Sequence, residues 1–350
     1  MSPRVLRAAA GALSLALLGA CASTTDVVAP SSRFAKAPAP DYESYVTGTP
    51  NATSTPLGGV YLAGGGADDD VGMGWLVRQG GIAGSGKKNV PFYGDVVVLR
   101  TSGSKGYNNW IDKLGANSVT TLVINTIDGA NSDSVEAAIN RAEVIFLAGG
   151  DQSTYVNLWS GTRLQRAVNA RVAAGYPIGG TSAGLAALPQ YIYSAQFAST
   201  TSSMALADPY DSTITFAQSL FTVPLLSGVI TDSHFVTRDR MGRFYTFLAR
   251  LQADGVTRTP RGIAVDEGSG VGIAANGSAT VYGTGNGVYL LTPAARSRST
   301  LSAPLTYGAM SVVRVPVGGT FDASNASSGG VAYSVRANAG VMTSSTGLLY

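Results

Sequence analysis

Residues 180–184 read Gly-Thr-Ser-Ala-Gly, a G-x-S-x-G pattern with Ser182 at its centre. An apolar run ends at Ile178-Gly179, and a helix is expected to begin near Ala183. On a strand–turn–helix elbow of this kind, the flanking glycines let backbone pass close to a serine held in a strained conformation. The helix amides favour negative charge beside it. That is chemistry for attack on an acyl carbon, with the oxyanion received by backbone N–H groups. The plain alternative is a Gly/Ser turn that only joins strand to helix. The chain has one histidine, His234, so any serine–histidine mechanism must use it. It lies just past Val229-Ile230-Thr231, at the strand end where open α/β sheets form sites. A lone packed or surface histidine is the alternative there. A third group must orient the imidazole. Asp266-Glu267 end the run RGIAVDE, and neighbours on a strand face opposite ways, so one of the two is expected to reach the ring. Asp232 is a further candidate. The turn Gly149-Gly150-Asp151-Gln152 after VIFLA presents amides. Gly150 and Asp151, with the Ala183 amide, would make an oxyanion hole.

Arginines follow the histidine. Phe244, Phe247, Leu248 and Leu251 form a helical stripe, and Arg240 and Arg243, three apart, share a face away from it. Near the serine they would clamp substrate carboxylates bidentately. A solvated helix face with an Asp239–Arg243 pair is the alternative. Other features carry less. Gly64-Gly65-Gly66 follows a strand, but no Lys-Ser/Thr follows it, so a turn is expected rather than a phosphate loop. Asp68-Asp69-Asp70 reads as a solvated acidic loop. One histidine and one cysteine, Cys21, leave no zinc site, and no metal or cofactor is expected.

The elements that must position these residues alternate. Strands are read at 58–66, 95–103, 119–126 and 142–152, and helices at 132–142 and 154–175, the latter stopped by Gly175. Near-continuous Val/Ile/Leu strands between helices predict a doubly wound, mostly parallel α/β sheet with both faces covered. From about residue 279 short strands with Gly/Ser/Asn turns replace helices. The expected organisation is a signal segment at 1–21, a flexible tether at 22–56 rich in Ala, Pro, Ser and Thr, an α/β domain at 57–290 and a β-rich extension at 291–350.

The 350 residues are 45% hydrophobic and 13% charged, a globular composition. Twenty-four Lys+Arg against 21 Asp+Glu give a net charge of +3, which does not point to nucleic acid or another polyanion. The N-terminus MSPRVLRAAAGALSLALLGACAS has a basic start, a short apolar run and small residues before Cys21. It has the form of a secretory signal and is too short for a membrane span. Leu18-Gly19-Ala20-Cys21 resembles a bacterial lipoprotein box, which implies cleavage before Cys21 and lipidation of it. An ordinary signal peptide is the alternative. By the same resemblance, Ala22 implies the outer membrane, so export and a lipid anchor are expected, with no other membrane contact.

In order, IFLAGGDQ, IGGTSAGLA, DSHFVTRDRMGR and GIAVDEGSG resemble the cyanophycinase/peptidase E family of serine peptidases over roughly residues 58–290. The resemblance implies a flavodoxin-like fold similar to class I glutamine amidotransferases. It implies Ser182 as nucleophile, His234 as general base and Glu267 as the acid. It implies Gln152 as a substrate contact, with Asp232, Arg238, Arg240 and Arg243 matching the D-x-H-F-x-x-x-R-x-R-x-x-R pattern of the cyanophycinase branch. Ser233 stands where that branch has Gln, and Leu185 where Ala is usual; the catalytic frame is kept, and the pocket differs. The implied activity is hydrolysis of cyanophycin or related β-aspartyl-arginine peptides. Aspartyl dipeptidase, another serine hydrolase or esterase, and a non-catalytic surface lipoprotein are the alternatives. Self-association into a homodimer is left open.

Overall fold

The computed structural model describes residues 41–86, 89–296, 299–323 and 329–350. The expected signal segment, the Cys21 lipidation site and residues 22–40 of the expected tether lie outside the described residues.

Five parallel strands form the middle of a nine-stranded sheet, in the spatial order Ser118–Val123, Val96–Arg100, Val144–Leu147, Ile178–Thr181, Val60–Ala63. Val60–Ala63, Val144–Leu147 and residues 96–99 are apolar runs because they are covered on both faces, while Ile178–Thr181 carries two glycines and Ser118–Val123 two threonines. Alternate residues feed opposite cores. Leu62, Val97, Leu99, Ile145 and Leu147 point to one, and Tyr61, Val96, Val98, Val144 and Phe146 to the other. Helices Asp133–Arg141, Gln152–Trp159 and Arg163–Ala173 cover the first face through Ile139, Trp159 and Val168. Helices Asp70–Gln79 and Asn108–Lys113 cover the second through Met73, Leu76 and Ile111. This is the predicted doubly wound α/β architecture. The helix expected over 154–175 is two, because the chain breaks at Gly161, whose φ of +75° does not continue a helix.

Antiparallel strands extend both edges. Ser269–Ile273, Ser278–Gly283 and Thr320–Asp322 follow Val60–Ala63. At the far edge Glu43–Gly48 pairs with Ser118–Val123. Residues 43–48 were expected in the flexible tether; they are instead an edge strand. Their hold on the domain is through backbone pairing and polar side chains. The Asn108 amide donates to the Tyr45 carbonyl at 3.0 Å and the Asn117 amide to the Thr49 carbonyl at 2.9 Å. An edge strand fixed by polar groups has no apolar signature to read.

A second sheet of eight strands lies in the order Phe216–Gln218, Tyr191–Tyr193, Val229–Asp232, Arg261–Val265, Val288–Pro293, Tyr307–Val315, Val331–Asn338, Val341–Ser344. Only the pairings of Val229–Asp232 with its two neighbours are parallel. One face shares the first sheet's core through Val229, Ile263, Val265 and Leu290. The other packs Ile230, Ala264 and Tyr289 against the helix Met241–Ala253 through Phe244, Phe247 and Leu248. The segment 291–350 supplies strands to both sheets. Ser182 and His234 therefore follow strands of different sheets. The chain crosses between them at Asp266-Glu267-Gly268, from Arg261–Val265 into Ser269–Ile273.

Candidate active site

Ser182 follows the strand Ile178–Thr181 with φ 53° and ψ −115°, and the short helix Ala183–Ala186 begins at once. Such a conformation costs a β-carbon-bearing residue about 1–3 kcal/mol and persists only where the surroundings enforce it. The flanking glycines enforce it. A β-carbon on Gly180 would lie 2.5 Å from the Gly184 carbonyl carbon, and one on Gly184 2.2 Å from the Leu147 carbonyl oxygen. The elbow is thus wedged against the end of Val144–Leu147. Ala183, the first helical residue, has no intrahelical acceptor for its amide. Gly150 and Asp151, from the turn after that strand, line the same cavity as Ser182 and Ala183. The Asp151 carboxylate is turned away to cap its own helix, accepting from the Ser153 amide at 2.8 Å.

His234 also has a left-handed backbone, with φ 48°. Its amide donates to the Gly64 carbonyl at 2.8 Å. Nε2 lies 2.7 Å from Ser182 Oγ, and Nδ1 lies 2.5 Å from Glu267 Oε1. The serine, imidazole and carboxylate form one continuous hydrogen-bonded chain. Of the three candidate acids, the structure places only Glu267 on the ring. Asp266 faces the other way and shapes the histidine's turn. Its Oδ1 accepts from the amides of Val236 and Thr237, each at 2.9 Å, and its Oδ2 from Asn286 at 2.7 Å. Burial raises the Asp266 carboxyl, but the bonds from Thr237 and Asn286 outweigh it and hold it below its ordinary value.

Asp232 is taken by arginine. Arg243 grips it with both prongs, Nε to Oδ2 at 2.8 Å and Nη2 to Oδ1 at 2.5 Å. It also donates to the Thr200 carbonyl at 3.1 Å. Arg243 is buried at 3% exposure, as is Asp232 at 4%. The expectation that Arg240 and Arg243 share a helix face turned to substrate is therefore corrected. Arg240 precedes the helix as its N-cap, and Arg243 points inward with its fork already engaged. The alternative, a solvated face with an Asp239–Arg243 pair, does not form either; Asp239 bonds Tyr350, at 2.8 Å. Arg240 reaches the Ser233 carbonyl at 2.9 Å and Asp232 at 3.3 Å. Burial lowers its guanidinium to about 10, against the pull of Asp232. Arg238 is half exposed, with Nε 3.3 Å from Glu267 Oε1.

A cavity of about 320 Å³ opens over these groups, lined among others by Gln152, Ser182, Phe197, His234, Arg238 and Arg240. Gln152 donates to the Tyr193 carbonyl at 3.3 Å. Phe197 is 78% exposed at the rim. Burial pushes the imidazole below its ordinary value; the Glu267 bond opposes this, and the positive charges of Arg238 and Arg240 push it lower. A neutral ring bonded to a carboxylate at Nδ1 carries its proton there, which leaves Nε2 free to accept from the serine.

Two sequence features set aside above belong to this site. Gly65 lies against the imidazole: its φ is +90°, and a β-carbon there would sit 2.3 Å from His234 Cε1. Gly65→Ala is expected to displace the ring and slow fluorophosphonate labelling of Ser182 by about 10²-fold, since misplacement by an ångström costs that much. Labelling rates beside circular dichroism check this, the spectrum remaining that of the wild type. The acidic triplet is not a solvated loop. Asp68 accepts from Thr181 Oγ1 at 2.7 Å and from the Tyr107 hydroxyl at 2.9 Å. Asp69 caps the helix Asp70–Gln79, and Asp70 accepts from the Trp110 ring at 2.6 Å. The readable signal was position: a glycine turn ending the first strand of a parallel block, at the edge where the serine turn also lies.

Residues 104–273, which include Ser182, His234 and Glu267, match the model of peptidase family S51. The chain is 28% identical over 240 residues to a cyanophycinase of Nostoc sp., covering 68% of this chain and 74% of that protein. It is likewise 28% identical to a cyanophycinase of Trichormus variabilis, with the same coverage. Among solved structures, a peptidase from an acI-B1 actinobacterium aligns with a TM-score of 0.48 at 15% identity, over 70% of this chain and 97% of its own.

Proposed function

We propose that this chain, whose residues 104–273 match the model of peptidase family S51, is a serine peptidase of cyanophycinase type, acting on cyanophycin or related β-aspartyl-arginine peptides. The observation that supports this best is the unbroken chain Ser182–His234–Glu267 at the floor of a cavity with arginines in its wall. Ser182 Oγ attacks the scissile carbonyl carbon as His234 Nε2 takes its proton. Glu267 holds the ring in the required tautomer and stabilises the imidazolium. The oxyanion is received by the amides of Ala183 and of the Gly150-Asp151 turn. His234 then protonates the leaving nitrogen, and the amine departs. In the second half, water attacks the acyl-enzyme with His234 again as base, and Ser182 is regenerated.

The substrate reading rests on charge. Arg238 and Arg240 present guanidinium groups for aspartyl carboxylates. Exposed Phe197, which also lines the cavity, offers a ring on which a substrate guanidinium stacks. Arg243 and Asp232 serve here as the buried pair that holds the wall in shape. The setting we propose is the cell envelope, with the chain tethered through Cys21.

The test is incubation of the purified chain with cyanophycin and with β-Asp-Arg-containing peptides. Release of β-Asp-Arg dipeptides is the expected result. Labelling of Ser182 by a fluorophosphonate without dipeptide release would overturn the substrate assignment alone; no labelling would overturn the catalytic reading. The pH profile follows from the imidazole. A base with a depressed pKa works once deprotonated, so kcat/KM should rise with pH, with its midpoint below 6.5, and be level at neutrality. A midpoint above 6.5 would contradict this.

A further inference from the structure

The turn that carries His234, Arg238 and Arg240 is closed by its own backbone. The Arg238 amide donates to the His234 carbonyl at 3.0 Å and the Arg240 amide to the Phe235 carbonyl at 2.8 Å. Its far end is Asp239, with a left-handed φ of 47°. Two side chains fasten that end: Ser202, whose hydroxyl donates to the Asp239 carbonyl at 2.5 Å, and, from the β-rich segment, Tyr350. The Tyr350 hydroxyl donates to Asp239 Oδ1 at 2.8 Å and accepts from the Met241 amide at 2.9 Å. Its ring stands edge-on to Phe235, the residue after His234, with centroids 5.6 Å apart, and to Tyr289 at 6.0 Å. The segment before Tyr350 is itself fixed. Tyr333 donates to the Leu349 carbonyl at 2.7 Å, and Ser344 to the Leu348 carbonyl at 2.6 Å. Tyr350 lies outside the residues 104–273 matched by the family model, and nothing above gives it a role.

We propose that Tyr350 is a positioning residue for catalysis, through which the β-rich segment sets the placement of the turn bearing His234, Arg238 and Arg240. The hydroxyl spans Asp239 and Met241, so it fixes where the turn ends and the helix begins. Arg238 is the residue most exposed to a slip, being half exposed and held at Glu267 by one 3.3 Å contact. The charges acting on the imidazole are Glu267, from the crossing between the sheets, and Arg238 and Arg240 from its own turn. The Gly64–Gly66 loop and the serine's turn, residues 180–184, present no charge to it. Asp232 is occupied by Arg243. Without the Tyr350 hydroxyl, Arg238 moves off and the Asp239 carboxylate loses its donor. Withdrawal of the Arg238 charge favours the protonated ring.

This inference rests on the catalytic reading of Ser182 and His234, but part of its test does not. Because the chain has one histidine, NMR titration reports His234 directly, with no substrate. In Tyr350→Phe, which keeps the ring and loses the hydroxyl, the His234 midpoint is expected to rise by about half a unit or more. The fluorophosphonate labelling rate below neutrality is expected to fall about threefold or more, as that shift implies. Thr343→Val, which removes the 3.4 Å contact to Arg336 in the same hairpin, should leave both unchanged. Tyr350→Phe titrating and labelling as wild type would overturn the proposal. So would Thr343→Val shifting His234 as much, since a general loosening of the hairpin would then be the cause. A shifted titration in a chain whose wild type is not labelled would leave the effect of Tyr350 on the turn standing and remove its catalytic meaning.

Discussion

Ser182→Ala is expected to lower kcat on a β-aspartyl peptide by about 10⁴-fold or more while leaving KM within a few-fold. The hydroxyl is the atom that forms the acyl bond, and no described residue offers a second nucleophile within reach of Nε2. The groups that hold substrate carboxylates and receive the oxyanion remain, so binding survives the loss of chemistry. Steady-state kinetics on the purified variant decide it. A loss of less than about tenfold would mean that another group attacks. The same position carries a separable stability effect. Ser182 sits at φ 53° and ψ −115°, which glycine tolerates better than residues bearing a β-carbon. Ser182→Gly should therefore be as inactive as Ser182→Ala and unfold at a higher temperature than it.

Glu267→Gln is expected to lower kcat by about 10²- to 10⁴-fold. An amide can donate to Nδ1 as readily as it accepts from it. When it donates, the ring proton moves to Nε2, and Nε2 can no longer take the proton of Ser182. The pH dependence has a sign of its own. Glu267 raises the imidazole pKa against burial and against Arg238 and Arg240, so its neutralisation should drop the His234 midpoint further below 6.5. That is opposite in direction to the shift expected for Tyr350→Phe, and one titration series separates the two. An unchanged rate would exclude Glu267 as the orienting group.

The serine elbow was legible because its demands are local: a strand end, two glycines and a helix start lie within five residues. The parallel block was legible for the same reason, since strands buried on both faces are mostly apolar. The single histidine reduced the choice of base to one. From the residues alone the choice of acid was open among Asp232, Asp266 and Glu267: alternation says only that the last two differ, and the answer depends on which side the second sheet packs. The role of Gly65 was hidden, since it comes from a histidine far along the chain. Arg243 was misread because helical spacing gives the face it shares but not whether that face meets solvent or Asp232. The strand Glu43–Gly48 was missed because an edge strand held by Asn108 and Asn117 needs no apolar residues.

Ser182 follows a strand of one sheet, His234 a strand of the other, and Glu267 lies in the strap between them. Reactivity is accordingly a property of assembly. A polypeptide with either layer unformed carries an ordinary hydroxyl on one half and an ordinary imidazole on the other. Such a half-built chain has no means of cutting its neighbours or itself. On the proposed mechanism the architecture itself supplies a restraint, released by the closing of the two layers.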